Sequence, residues 1–134
     1  MILLNFSHPI TTEQQEQIIR VLDLDVSKEL LIMLKIECQL DVNTDFGNQV
    51  ADLADACNLT PDEWQTQRII VNPPALSTAA TLLLAELHGR CGYYPPVLRL
   101  KQESGTMPPR YVLAEILDVN SQRQNARKRR NKRE

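Results

Sequence analysis

Two short segments of this 134-residue chain carry side chains suited to holding a charged ligand: Asn5-Phe6-Ser7-His8-Pro9 and Asn72-Pro73-Pro74-Ala75-Leu76-Ser77-Thr78. Each follows an apolar run, Ile2-Leu3-Leu4 in one case and Ile69-Ile70-Val71 in the other, and each leads into a helix-forming stretch. A helix start offers unpaired N–H groups and about half a positive charge, which suits a phosphate. Ser7, Ser77 and Thr78 read either as turn and cap residues or as phosphate donors. Asn72 reads either as a strand terminator or as a donor to a base or phosphate, and Asn5 stands at the equivalent place after the first strand. His8 reads as a structural loop residue or as a ligand contact. An imidazole there can donate to phosphate or act as acid and base, which makes His8 the one candidate catalytic residue. Arg110, beside Pro109 in a polar loop, is a further candidate phosphate contact. Arg90 and His88 lie about 13 residues into the longest helical stretch, roughly 20 Å from its start at 1.5 Å per residue. That separation predicts that they satisfy helix-end carbonyls far from His8, and that Arg90 reaches a ligand only from a partner chain.

The excluded chemistry is clearer. The dinucleotide fingerprint GxGxxG is absent, and so is GxxxxGK[ST], which disfavours NAD binding and ATP hydrolysis of those types. Cys38, Cys57 and Cys91 sit singly, with no Cys/His cluster and no paired carboxylates at metal-site spacing, so neither a metal nor another cofactor is expected. The odd cysteine count fits a reducing, cytoplasmic setting. Apolar runs are too short for a membrane span, and Met1 enters Ile-Leu-Leu without a basic stretch, unlike a secretory signal. Phe, Trp and Tyr make up 4% of the chain, too few for an aromatic base-stacking sheet, and Trp64, Tyr93 and Tyr94 read as packing residues.

The elements that must position these residues alternate. Residues 2–6 read as a buried strand. Thr11/Gln14 and Thr12/Gln15 both have capping-box spacing, opening a helix that runs to about Leu22. The run 30–37 is ambiguous by periodicity and is assigned as a strand over 31–37. Phe46-Gly47 opens a helix with Val50, Leu53, Ala54 and Cys57 on one face. Thr60-Pro61-Asp62-Glu63 caps a short helical turn carrying Trp64. A strand over 68–71 leads to a helix over about 75–90, with Leu76, Ala80, Leu83, Leu84, Leu87 and Cys91 as its buried stripe and Gly92 ending it. Strands over 97–101 and 111–117 follow and pair with each other as a hairpin-like edge. This order predicts an α/β, Rossmann-like three-layer sandwich, with a mainly parallel sheet and an antiparallel C-terminal edge.

Charge divides the chain. Residues 1–117 hold eight Lys and Arg against fifteen Asp and Glu, whereas 118–134 hold seven against two. An acidic domain, 1–118, therefore carries a basic tail, 119–134, exposed to solvent and able to make weak, non-specific contact with nucleic acid.

Met1-Ile-Leu-Leu-Asn-Phe-Ser-His-Pro9, Asp62-Glu-Trp-Gln65, Val71-Asn-Pro-Pro74, Leu84-Ala-Glu-Leu-His-Gly-Arg90 and Pro109-Arg-Tyr111 occur in order along the chain. Together they resemble a small family of type III CRISPR accessory proteins of the Csx series, over residues 1 to about 117. The resemblance implies a CARF-like domain, a homodimer with scope for higher assembly, and a cyclic oligoadenylate, cyclic tetraadenylate first, bound across the two-fold. It carries the contacts onto Ser7-His8-Pro9 and Asn72 through Thr78. Some relatives cut the ring without metal, by attack of the 2′-hydroxyl on the adjacent phosphate. With His8 the one candidate for proton transfer and no Lys or Arg in either loop, sequestration that damps antiviral signalling is the expectation. Slow ring cleavage and tail-mediated nucleic-acid binding are the alternatives.

Overall fold

The computed structural model describes residues 1–131; Lys132, Arg133 and Glu134, the end of the basic tail, lie outside the described residues. A five-stranded sheet runs in the order β2-β1-β3-β4-β5. Strands β1 (Ile2–Asn5), β2 (Ile32–Lys35) and β3 (Ile69–Asn72) are parallel, with Asn5 level with Lys35 on one side and Asn72 on the other. β4 (Val97–Gln102) joins β3 in parallel only at Val71–Val97 and pairs antiparallel with β5 (Tyr111–Leu117). The expected α/β architecture, mostly parallel with an antiparallel C-terminal edge, is the one observed.

β1 and β3 are buried at every position, as expected for central strands covered on both faces. Their alternation splits the core. Ile2, Leu4, Ile69, Val71 and Val97 pack beneath α2 (Phe46–Ala56), α3 (Pro61–Thr66) and α4 (Ser77–Cys91). Leu3, Ile70 and Leu98 face α1 (Thr12–Val21), which meets them through Ile18. Three layers result: one helix, the sheet, three helices.

Local chemistry sets the helix ends. Thr11 and Gln14 form a reciprocal capping box on α1, and Thr60 and Glu63 form one on α3. Gly92 ends α4 at φ 85°, a left-handed conformation that glycine adopts without a Cβ penalty. The buried stripe of α4 is Ala79, Leu83, Leu87 and Cys91. Leu83, Leu87 and Cys91 of the expected stripe are there, Ala79 takes the place of the half-buried Ala80, and Leu84 packs half-buried at the stripe's margin. Leu76 lies outside the helix as its N-cap, 42% exposed, because the chain turns after Pro74 before the helix begins. The second strand is also shorter than the expected 31–37. β2 is a sheet edge with exposed residues, so burial does not extend it.

α1 also seals the far edge of the sheet. The Gln14 side chain donates to the Tyr111 carbonyl at 2.9 Å, and Gln17 Oε1 accepts from the Leu113 amide at 2.9 Å. Two outward backbone groups of β5 are thereby satisfied. After β5, the segment expected as a basic tail forms α5 (Val119–Arg130), capped by Asp118 through the Ser121 amide at 2.9 Å and hydroxyl at 2.7 Å. Those bonds, the amide first, hold the Asp118 carboxyl below the usual carboxylate range. No residue of α5 is buried. Among the described residues no helix is long and apolar enough to cross a membrane.

Gln14→Ala removes both the box and the bond to β5. It should cost about 2–3 kcal/mol in urea unfolding, while Gln15→Ala should stay within about 0.5 kcal/mol of wild type. Burial pushes the Cys57 thiol up to about 12 and the Cys91 thiol up to about 11, while Cys38 is raised by desolvation and partly offset by Lys35. The thiolate is the nucleophile. An alkylating reagent at neutral pH should therefore label the part-exposed Cys38 first and reach Cys57 and Cys91 only on unfolding, as peptide mass mapping would show.

Candidate functional site

The strand order reverses between β1 and β3. From β1 the chain goes outward to β2 and then returns to the other side of β1 as β3. In open parallel sheets the crevice beyond the strand ends at such a switch is where ligands bind. Here Asn5 and Asn72 end the two strands side by side.

Their carboxamides build the floor. Asn72 Nδ2 donates to Asn5 Oδ1 at 2.9 Å, and the same oxygen accepts from the Ser7 amide at 3.0 Å. Asn5 Nδ2 donates to the His8 carbonyl at 2.9 Å. Both asparagines are buried, at 4% and 5% exposure. Asn5 thus spends its hydrogen-bonding capacity on folding the Ser7–His8 turn and tying it to β3, making it a positioning residue. Asn72 reaches the cleft directly.

One wall comes from β4 and β5. β4 runs four residues past Leu98, which is level with Asn72, and about 3.3 Å per residue lifts the β4–β5 hairpin roughly 13 Å above the sheet's end. Between this hairpin, the start of α1 and the two loops lies an open cleft of about 1280 Å³. It is lined by Ser7, His8, Pro9, Asn72, Pro73 and Arg110 from the expected set, and also by Gln14, Glu13, Arg99, Leu100, Met107 and Tyr111. A smaller hollow of about 390 Å³ lies across the Ser7–His8 ridge, lined by Lys35, Glu37, Cys38, Pro74, Ala75 and Leu76 among others.

The site brings together two expected loops but not every expected residue. Ser77 and Thr78 stand behind the rim as the first two residues of α4 and line neither space. Arg90 lines neither space, in keeping with its place far along α4, and its guanidinium is committed elsewhere. It bonds Asp55 and Glu86, each at 2.9 Å, reaches the Ala51 carbonyl at 3.3 Å, and lies 5.9 Å from the Trp64 ring centroid. It clasps α2, α3 and α4 together on the helical face. His88 stacks near Tyr94, with ring centroids 4.2 Å apart.

Lys35 went unremarked in the sequence. It ends β2 beside Asn5 and donates from Nζ to the Ser7 carbonyl, bringing a cation to a loop that has none of its own. The available signal was its place as the first charged residue after the apolar run Leu30–Leu34. The hairpin lining was equally unforeseen.

Electrostatics in the cleft are nearly balanced. Arg110 pairs with Glu13 and lies 3.2 Å from Glu103, and Arg99 pairs with Glu115 at 2.7 Å. Two helices start without a side-chain cap bond, α2 at Asp45 and α4 at Leu76, and of the two it is α4 that follows the loop after β3. α1, α3 and α5 have side-chain caps, but Leu76 at the α4 N-cap has no oxygen to offer. The first amides of α4 therefore lack the acceptor that Ser or Asp would supply, at a cost of about 1 kcal/mol. An anion beside Leu76 and Lys35 would satisfy them. The His8 ring borders both spaces, with no hydrogen-bond partner among the described residues. Among the described residues no group of three or more His, Cys, Asp or Glu could hold a metal ion.

The chain is a small α/β protein, mostly parallel with an antiparallel C-terminal edge, and has an open cleft at its switch point. It matches no protein-family model, and no curated protein or solved structure matches it.

Leu76→Asp should raise stability by about 1 kcal/mol by capping α4. It should also abolish the gain in urea resistance that inorganic phosphate gives the wild type. Retention of that phosphate effect in the variant would place anion binding elsewhere.

Proposed function

We propose that the cleft binds a cyclic oligoadenylate, with cyclic tetraadenylate as the first candidate, and sequesters it to damp type III CRISPR antiviral signalling. The observation that carries this reading is the large cleft on the β1/β3 switch, with the uncapped start of α4 and Lys35 at a smaller hollow across the Ser7–His8 ridge from it. A phosphodiester ring presents anions at regular intervals around a set of bases. The smaller hollow brings the Lys35 ammonium, with Glu37 beside it, to the Leu76 rim behind which α4 begins, and the larger cleft offers apolar and polar walls to a base. A ring with two-fold symmetry presents equivalent halves, so two copies of the chain fit it better than one. The motifs quoted from the sequence, which resemble CARF-related accessory proteins, supply the ligand class. They also support a CARF-like identity for this domain.

Binding is favoured over cleavage by the state of His8. A working general base is oriented by a third group, and the imidazole here has none among the described residues. Stabilising the charge that builds on an attacked phosphate needs fixed donors, and Arg110 is already held by two carboxylates.

A ligand in the cleft competes with those carboxylates. Glu13→Gln should therefore tighten binding of cyclic tetraadenylate about threefold to tenfold, and Arg110→Ala should weaken it about tenfold. Calorimetric titration of the full chain should give a dissociation constant below about 10 μM at one ring per two chains, with the ring recovered intact after hours in EDTA. Failure of cyclic tri-, tetra- and hexaadenylate alike to bind below about 10 μM would overturn the reading. A linear product whose formation is slowed by His8→Ala would convert it into slow, metal-independent ring cleavage.

A further inference from the structure

The two edges of the sheet are treated differently. β5 is sealed by Gln14 and Gln17 of α1. β2 pairs only with β1, and nothing among the described residues covers its other side. The amides of Ile32 and Ile36 point inward, to the Met1 carbonyl at 2.8 Å and the Asn5 carbonyl at 2.9 Å. Strand alternation then turns the N–H and C=O groups of Met33 and Lys35 outward, along with those of Leu31. Apolar side chains stand open along this edge, Leu30 at 71% exposure, Ile32 at 49% and Met33 at 37%, with the exposed Lys35 ending the strand. An open strand edge with apolar side chains is a template for another strand, and proteins that stay monomeric blunt such edges.

We propose that β2 is the edge through which two copies of this chain associate, pairing antiparallel about a two-fold axis at Ile32 to make one continuous ten-stranded sheet. The partner is a second copy because the segment complements itself. With the axis at Ile32, the outward-facing residues oppose one another in the hydrogen-bonding pattern an antiparallel pair requires. Leu30 then faces Leu34, Leu31 faces Met33, and Glu29 faces Lys35. Moving the axis to Met33 sets Glu29 against Glu37, and moving it to Leu34 sets Leu31 against Glu37 and Met33 against Lys35. Of these three registers, the Ile32 one sets Leu30, Leu31, Met33 and Leu34 against one another and opposes no like charges. Glu29 is held at this edge by the Met1 ammonium at 3.1 Å and by Arg68 at 2.6 Å. Antiparallel pairing points the two clefts toward opposite ends of the joined sheet. The interface therefore forms without ligand, and it does not rest on the ligand reading.

Sedimentation velocity of the full, ligand-free chain should show a dimer at micromolar concentration. Ile32→Lys, which puts two ammonium groups across the axis, should weaken association about tenfold or more while leaving the far-UV spectrum unchanged. The register has its own test. Opposed residues in a non-hydrogen-bonded antiparallel pair have Cα atoms about 4.5 Å apart, within disulfide reach. Diamide should therefore convert Ile32→Cys into a covalent dimer. Met33→Cys lies about 7–8 Å from its own copy and should match the wild-type background set by Cys38, Cys57 and Cys91. A monomeric wild type, equal association by Ile32→Lys, or cross-linking of Met33→Cys in place of Ile32→Cys would each overturn the proposal.

Discussion

The structure turns on a pair of buried carboxamides. Asn5 and Asn72 end adjacent parallel strands, and a single hydrogen bond between their side chains holds the crevice between β1 and β3 at a fixed width. Buried amides are costly unless bonded, so this pair also dictates what surrounds it. Asn5 Oδ1 must accept from the Ser7 amide and Asn5 Nδ2 must find the His8 carbonyl, which folds residues 5–8 into one turn. The turn presents its Ser7 carbonyl to Lys35, drawing the end of β2 into the same site. This polar contact at the end of two apolar strands thereby aligns three strand ends.

The charge pattern follows a related logic. The body is acidic, yet its cleft is close to neutral, because each lining arginine already has a carboxylate partner. An incoming anion therefore gains most from groups that are not yet compensated: the first amides of α4 and the ammonium of Lys35. The basic α5 does not contribute there. β5 runs back from Tyr111 at the cleft to Leu117 beside Val97, so α5 departs from the part of the sheet remote from the mouth. Arg123, Arg127 and Arg130 line a shallow hollow of their own on α5.

What could be read from the sequence was what local chemistry decides. The boxes at Thr11/Gln14 and Thr60/Glu63, the left-handed Gly92, the apolar β1 and β3, and the hairpin-like final strands depend on residues close in the chain. The two loops after β1 and β3 could be singled out because strand ends at a switch point need only element order to be located. The remainder depends on lateral arrangement. Lys35 joins the site only because β2 lies beside β1, and Tyr111 lines the cleft only because β4 overshoots β3. The α4 stripe was legible at Leu83, Leu87 and Cys91 but not at its start, where Leu76 and Ala80 match helical spacing as well as Ala79 does. The direction from which the sheet approaches made the choice. Arg90 is diverted by Asp55, 35 residues away in the chain, a contact that no local pattern announces.

The central claim is that the β1/β3 switch, with its uncapped helix, is where the ligand's charge is met. Amide chemical shifts of the uniformly ¹⁵N-labelled chain, followed as cyclic tetraadenylate is added, test it residue by residue. The account predicts that the largest changes fall on Ser7, His8, Asn72, Ser77, Thr78 and Ala79, with the amides of α5 unmoved. Changes concentrated in Arg123–Arg130, or none in the first turn of α4, would contradict it.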